Sequence, residues 1–248
     1  MKIAYSGISG SIGEYINKFR TAESVNVQRS EFDWGNTQSF SSISKYDRVF
    51  LSFPVNKIDI LPLVPSLVKV LRKDQTIIKF GSLGPQRIIN DIVDAEIRKY
   101  CRLISLELAP TMSSLLVEQI NGSMLYDYRY GLPAPYVSTQ AAAQIAVKAT
   151  EQGVDSDVLR ITGPENLTIS DVKNILSKYQ NFEITKLDGK TFVDSYVCSD
   201  SIKTQLCRAY DQYKSQHPVV SGDLERNGIH NPTLSNWLES NFKNIIKL

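Results

Sequence analysis

Residues Met1–Phe19, MKIAYSGISGSIGEYINKF, constrain this chain more than any other stretch. A short apolar run, Ile3-Ala4-Tyr5, leads into Gly7, Gly10 and Gly13, spaced G-x-x-G-x-x-G. A helical pattern follows, with Ile12, Tyr15, Ile16 and Phe19 on one face. Strand, glycine turn and helix is an arrangement that receives a dinucleotide pyrophosphate. Gly7 permits the tight turn, Gly10 lets the backbone approach the phosphates, and Gly13 lets the helix pack on the strand. Ser9, Ser11 and Ile12 belong to the same candidate cradle, where the helix start offers free N–H groups and a positive dipole end. The plainer alternative is a glycine turn that only packs a βα unit.

The rest of the chain must be compatible with that start. Its 248 residues suit one large α/β domain, or one domain with a smaller appendage. A net charge of +2 gives no nucleic-acid footprint. Cys101, Cys198 and Cys207 are odd in number and form no disulfide framework. The most apolar stretch, Ile60 to Val68, is short and holds Pro62 and Pro65, so it is not expected to span a bilayer. With a strand at the N-terminus in place of a signal peptide, the expectation is a cytoplasmic protein.

Ser24 to Arg29 reads as a second strand. A basic residue at its end suits the 2′-phosphate of NADP, so Arg29 is a candidate selector of that cofactor; the alternative is an ordinary surface arginine. Between Arg29 and the next strand-like piece, Glu31-Phe32-Asp33-Trp34, there is no room for a crossover helix. Either the second and third strands are fused or one is missing. Tyr46 to Pro54 has the continuous apolar centre of a buried parallel strand, and Ile58 to Leu71 is helical in pattern. Gln75–Ser82 is a strand, Ile88–Tyr100 an amphipathic helix and Leu103–Pro110 a strand. This alternation predicts a doubly wound parallel sheet. Met124 to Tyr130 then alternates as a strand, Thr139–Thr150 is an alanine-rich helix, and Val158–Thr162 is a strand. Thr168-Ile169-Ser170-Asp171 opens a helix with a capping-box variant, Phe182–Leu187 reads as a strand, and the remainder is mainly helical.

Several of these segments together match one pattern. They are GISGSIG; Asp33, placed like the end of a third strand; DRVFLSFP; IIKFGSLG; YVSTQAAAQIAVKA; LRITGPENLTISDV; and NPTLSNWL. In order and spacing the chain resembles the NmrA-like atypical short-chain dehydrogenase/reductases. That resemblance implies an NAD(P)-binding Rossmann domain with a smaller C-terminal substrate-side region. We place the division at 1–155, interleaved with 121–137, and 156–248. The resemblance implies cofactor contacts from Gly7, Ser9, Gly10, Ser11, Ile12, Gly13, Arg29, Asp33, Phe53, Pro54, Gly81, Ser82, Pro110 and Met112. Met112 would pack on the nicotinamide. It also implies either an NAD(P)H-dependent reductase of quinones, imines, activated alkenes or carbonyl compounds, or a regulator that binds the dinucleotide without turnover. NADP is the expected cofactor, with NAD as the alternative. Two features depart from the pattern: Ile92 stands where some family reductases carry a lysine four residues before a glutamate (here Glu96), and Leu108-Ala109-Pro110 replaces a common Leu-Arg-Pro.

The familiar tyrosine acid, four residues before a lysine, occurs only as Tyr210 and Lys214, too far downstream for that role. Ser82 at a strand end can touch a cofactor or substrate oxygen, or cap the next turn. Glu107 in a buried strand needs a partner or a task. Tyr126, Tyr128 and Tyr130 share a strand face, either lining a flat aromatic pocket or forming an ordinary β-face. The weak catalytic candidates are therefore Ser82, Glu107 and Tyr126. His217 and His230 are not at ligand spacing, so no metal site is expected. The expected partners are a small-molecule substrate and at most a second copy, with a protein partner only for a regulator. The missing Tyr/Lys pair disfavours a sugar or alcohol dehydrogenase and leaves hydride transfer open, because the cofactor carries that chemistry.

Overall fold

The computed structural model describes residues 1–54, 58–84, 87–118, 120–121, 123–127, 132–186, 193–194, 198–213 and 219–245. Side chains of 116–118, 121, 210–213 and 242–245 are outside that description.

Strand β1 (Ile3–Ser6) runs into helix α1 (Ser11–Phe19), and β2 (Val25–Val27) follows. The expected second strand is shortened at both ends. The Gln28 carbonyl accepts from the N–H groups of Glu31 (2.9 Å) and Phe32 (3.0 Å), which turns the chain at once. Glu31–Trp34 forms no strand and makes only the tight bridge Asp33–Asn36. Asp33 therefore ends no third strand: of the two alternatives, a strand is missing. Phe32, Trp34 and Phe40 pack on one another with ring centroids 5.2–5.5 Å apart, in one core with Val27 and Val49, and Thr37–Lys45 continues as a 3₁₀ helix.

Strand β3 (Arg48–Leu51) is followed by a 3₁₀ turn at Leu61–Leu63 and a short α2 (Val64–Val68). The helix expected over Ile58–Leu71 is thus cut down. Pro62 and Pro65 cannot donate a helical hydrogen bond, so each is held at a helix start. Then come β4 (Thr76–Ser82), α3 (Arg87–Arg98), β5 (Arg102–Leu108), α4 (Met112–Glu118), β6 (Ile120–Asn121), β7 (Met124–Asp127) and α5 (Thr139–Glu151). The chain continues through β8 (Val158–Ile161), α6 (Ile169–Leu176), β9 (Glu183–Lys186), α7 (Asp200–Tyr213), α8 (Asp223–Arg226) and α9 (Leu234–Ile245).

The main sheet is wholly parallel, in the order β2-β1-β3-β4-β5-β8. Its two faces alternate residue by residue. Ala4, Val49, Ile77 and Leu103 meet α2, α3 and α7 through Leu67, Val93, Ile97 and Leu206. Tyr5, Phe50, Ile78 and Ile104 meet α1 and α5 through Ile16, Ala142, Ile145 and Ala146. The sheet is therefore doubly wound, as the alternation predicts. Strand β8 lies beyond the expected division at 155, yet Ser105–Leu108 of β5 pair with Val158–Ile161. Strands β6, β7 and β9, from both sides of β8 in the chain, form a second sheet, whose core includes Leu125, Leu167, Val172, Leu176, Phe182, Leu234 and Leu238. The capping box opening α6 is present, with Thr168 and Asp171 exchanging backbone bonds at 2.9 and 3.2 Å. No helix among the described residues is long and apolar enough to cross a membrane.

Candidate functional site

All six main strands are parallel, so their carboxyl ends share one edge of the sheet. In the order β2-β1-β3 the chain leaves β1 to one side for β2 and returns to the other for β3. This reversal opens a crevice at the strand ends, where open α/β sheets hold their ligands. The glycine stretch lies at that point.

Gly7 ends β1 at φ +74°, and a Cβ there would stand 2.8 Å from Ser52 Cβ of the neighbouring strand end. Gly13 lies against the loop, where a Cβ would come within 2.0 Å of the Ile8 carbonyl oxygen. The first approach sets the turn against the end of β3, and the second sets α1 against the loop that follows β1. Gly10 differs, because a Cβ on it would meet nothing within 4 Å. Gly10 is the N-cap of α1, in extended backbone, and no side chain caps the helix. Ser9, Gly10 and Ser11 are exposed and Ile12 is half-buried. Open space thus faces a helix start whose N–H groups have no side-chain acceptor, which fits a pyrophosphate.

Arg29 lies two residues past β2, with its side chain 86% exposed and its Nε 3.5 Å from Asp33 Oδ2. Asp33 Oδ1 accepts the Gly35 N–H at 3.0 Å, and this bond, with Arg29 beside it, holds the carboxyl below the usual aspartate range. At the end of β3, the Trp34 indole N–H donates to the Ser52 carbonyl at 3.0 Å, and Phe53 lies against Trp34 at 4.8 Å. Phe53 and Pro54 are half-buried beside this knot.

Behind Phe53 lies a residue the sequence reading passed over. Lys79 of β4 is fully buried, yet its ammonium is 2.7 Å from Asp94 and 3.0 Å from Asn90, both on α3. It also stands 5.5 Å from the Phe53 ring centroid, in cation–π range. Burial lowers its pKa and Asp94 opposes that shift. The available signal was a lysine between Ile78 and Phe80 in a central strand.

Gly81 and Ser82 close β4, and the Ser82 hydroxyl accepts from Gly84 N–H at 3.0 Å, which is the turn-capping alternative. Glu107 pairs with Arg87 at 3.2 Å and Arg160 at 3.6 Å. It shares the α3 face of the sheet with its register partner Gly81, and its charge is occupied in an ion triad. Pro110 is half-buried at the end of β5. Met112 is wholly buried in the core of the smaller region with Leu115 and Tyr136, so its side chain has no surface to lay on a nicotinamide ring. Tyr126 is half-buried on β7. Tyr128, Tyr130, Lys214 and His217, and the side chain of Tyr210, fall outside the described residues. No group of His, Cys, Asp and Glu suited to a metal ion occurs among the described residues.

One cluster near the end of β5 escaped the sequence. Thr111 Oγ1 and Ser113 Oγ are 3.1 Å apart, and Ser113 Oγ and Thr139 Oγ1 are 2.5 Å apart. This hydroxyl chain joins the loop after β5 to the first turn of α5. Its local sign was the run Thr111-Met112-Ser113-Ser114, but Thr139 is brought in only by the fold. The TGPE and NP motifs dock on each other: Asn231 accepts from Ser138 N–H (3.0 Å) and donates to the Thr162 carbonyl (3.1 Å), while Glu165 accepts from Leu234 N–H (3.0 Å).

Solved structures decide the architecture. The NADPH-dependent quinone oxidoreductase QOR2 of Escherichia coli, solved with NADPH, matches 97% of this chain and 99% of its own, with TM-score 0.71 and 12% identity. The chain has a Rossmann-like fold. The triphenylmethane reductase of Citrobacter sp., complexed with NADP(H), matches 97% and 99% at TM-score 0.69 and 12% identity. A nucleoside-diphosphate-sugar epimerase from Staphylococcus aureus matches 96% and 100% at TM-score 0.69 and 17% identity. No family model matches the sequence, and no curated protein is significantly similar to it.

Proposed function

We propose that this protein is an NADPH-dependent reductase of a small quinone, imine, activated alkene or carbonyl compound. The observation that carries this reading is the uncapped start of α1, facing open space at Gly10 where the strand order reverses. The resemblance in motif order and the whole-length likeness to two reductases solved with NADPH or NADP(H) support it.

In this reading Gly7 and Gly13 fix the loop, and the N–H groups at Ser9–Ile12 hold the pyrophosphate. Arg29 meets the 2′-phosphate, with Asp33 restraining its guanidinium. Phe53, Pro54, Gly81, Ser82 and the backbone at Pro110 border the rest of the crevice. The dinucleotide supplies the hydride. The Thr111–Ser113–Thr139 hydroxyls form a hydrogen-bonded chain at the end of β5, which can relay a proton supplied by water and is not itself the acid.

The test is NADPH consumption by the purified protein with a panel of quinones, and its loss in Gly10→Asp. Tight NADPH binding without turnover on any acceptor decides for the dinucleotide-sensing regulator. Absence of NADPH binding overturns both.

A further inference from the structure

A second cavity lies on the far side of α5 from the sheet. Its volume is about 790 Å³, within the range of small-ligand sites. One wall is α5 itself. The Ala141, Ala142, Ile145, Ala146 and Ala149 face of that helix is buried, while Gln140, Gln144, Lys148 and Gln152 recur every four residues along the cavity. The other wall is α9, with Trp237 and Asn241 one turn apart.

The chemistry of the lining is selective. Among the described residues no aspartate or glutamate lines the cavity, so none of them would neutralise a cation there. Its one lysine among the described residues, Lys148, donates to the Asn227 carbonyl at 2.8 Å, a neutral acceptor, so the ammonium keeps its charge. The rest of the polar lining is amides, the Ser138 and Ser240 hydroxyls, the His230 imidazole and the Trp237 indole. The Gln140 and Gln144 side chains and the Trp237 indole N–H make no hydrogen bond to a described residue. Each primary amide offers two donors and an acceptor, which suits a hydroxyl that both gives and takes. A partly buried indole offers a flat apolar face beside its N–H.

We propose that the cleft between α5 and α9 binds a polyhydroxylated ligand, a mono- or disaccharide, separately from the dinucleotide crevice. The test uses the full ¹⁵N-labelled chain. The protein has two tryptophans, hence two indole N–H resonances, which Trp237→Phe assigns. Trp34 reports on the strand-end crevice through its bond to Ser52, and Trp237 reports on the cleft. Glucose, N-acetylglucosamine, maltose and cellobiose are titrated separately. At least one should shift the Trp237 resonance saturably and leave Trp34 in place. Gln144→Leu should weaken that binding about two- to tenfold, the worth of a neutral hydrogen bond, with the Trp34 resonance confirming the fold.

The proposal is overturned if none of the four moves Trp237, if the saccharide moves Trp34 instead, or if Gln144→Leu binds equally well. A Trp237 shift that follows protein concentration without sugar overturns it in favour of a second copy of the chain. NADPH added alone should move Trp34, so failure of the dinucleotide reading is scored on a different resonance.

Discussion

At the residue scale, the three glycines of the N-terminal loop divide into two kinds. Gly13→Ala forces a methyl to within 2.0 Å of the Ile8 carbonyl oxygen, so α1 must move off β1. The expected cost is at least about 1–3 kcal/mol, the usual penalty of overpacking, read from chemical denaturation. Gly10→Asp meets open space and should melt like wild type, yet it places a carboxylate where the pyrophosphate must approach. NADPH titration by fluorescence checks it: wild-type affinity in the folded mutant rejects the site. Arg29→Ala should weaken NADPH about tenfold to a hundredfold and spare NADH, because a hydrogen bond to a charged group is worth about 1.5–3 kcal/mol. The exposed pair with Asp33 adds little stability, so the melting temperature should hold. Equal changes in both dissociation constants would remove Arg29 as selector. The tight packing at Gly7 and Gly13 was legible because each is a local matter of spacing. The burial of Met112 was not legible because Tyr136 and Leu125, which pack in the same core, are far from it in the chain.

At the element scale, the long periodic segments read true. Strands β4 and β5 and helices α3 and α5 lie within a residue or two of their expected bounds. The buried ammonium of Lys79 joins β4 to α3 through Asp94. Lys79→Met leaves that carboxylate without its cation and should cost about 3–5 kcal/mol, whereas Lys79→Met with Asp94→Leu should recover most of it. A double-mutant cycle by urea unfolding measures this, and additive losses would show that the two do not act as a pair. Cys101, buried where α3 turns into β5, gives a pH test. Desolvation pushes its thiol from 9.0 up to about 11. The unfolded chain therefore loses the proton first, and stability that is complete below pH 9 declines toward pH 11. Cys101→Ala should flatten that alkaline decline in melting temperature, and an unchanged slope would contradict it.

At the scale of the molecule, the sequence carried the alternation but not the neighbours. The apolar run of β8 marks a strand without naming its partner, so its membership of the main sheet appears only in the register with β5. The short link after Arg29 signalled that two strands were fused or one was lost, though not which, nor what would replace it. That replacement is not laid along the free border of β2. The Phe32–Trp34–Phe40 knot sits in the core on the α2/α3 face with Val27 and Val49, and Trp34 reaches the end of β3 through the Ser52 carbonyl and the Phe53 ring. Trp34→Ser removes both contacts and should cost about 3–5 kcal/mol, read from chemical denaturation; a wild-type midpoint would refute this. Three aromatic rings thus serve as a clasp, tying the turn after β2 to a strand two places away in the sheet.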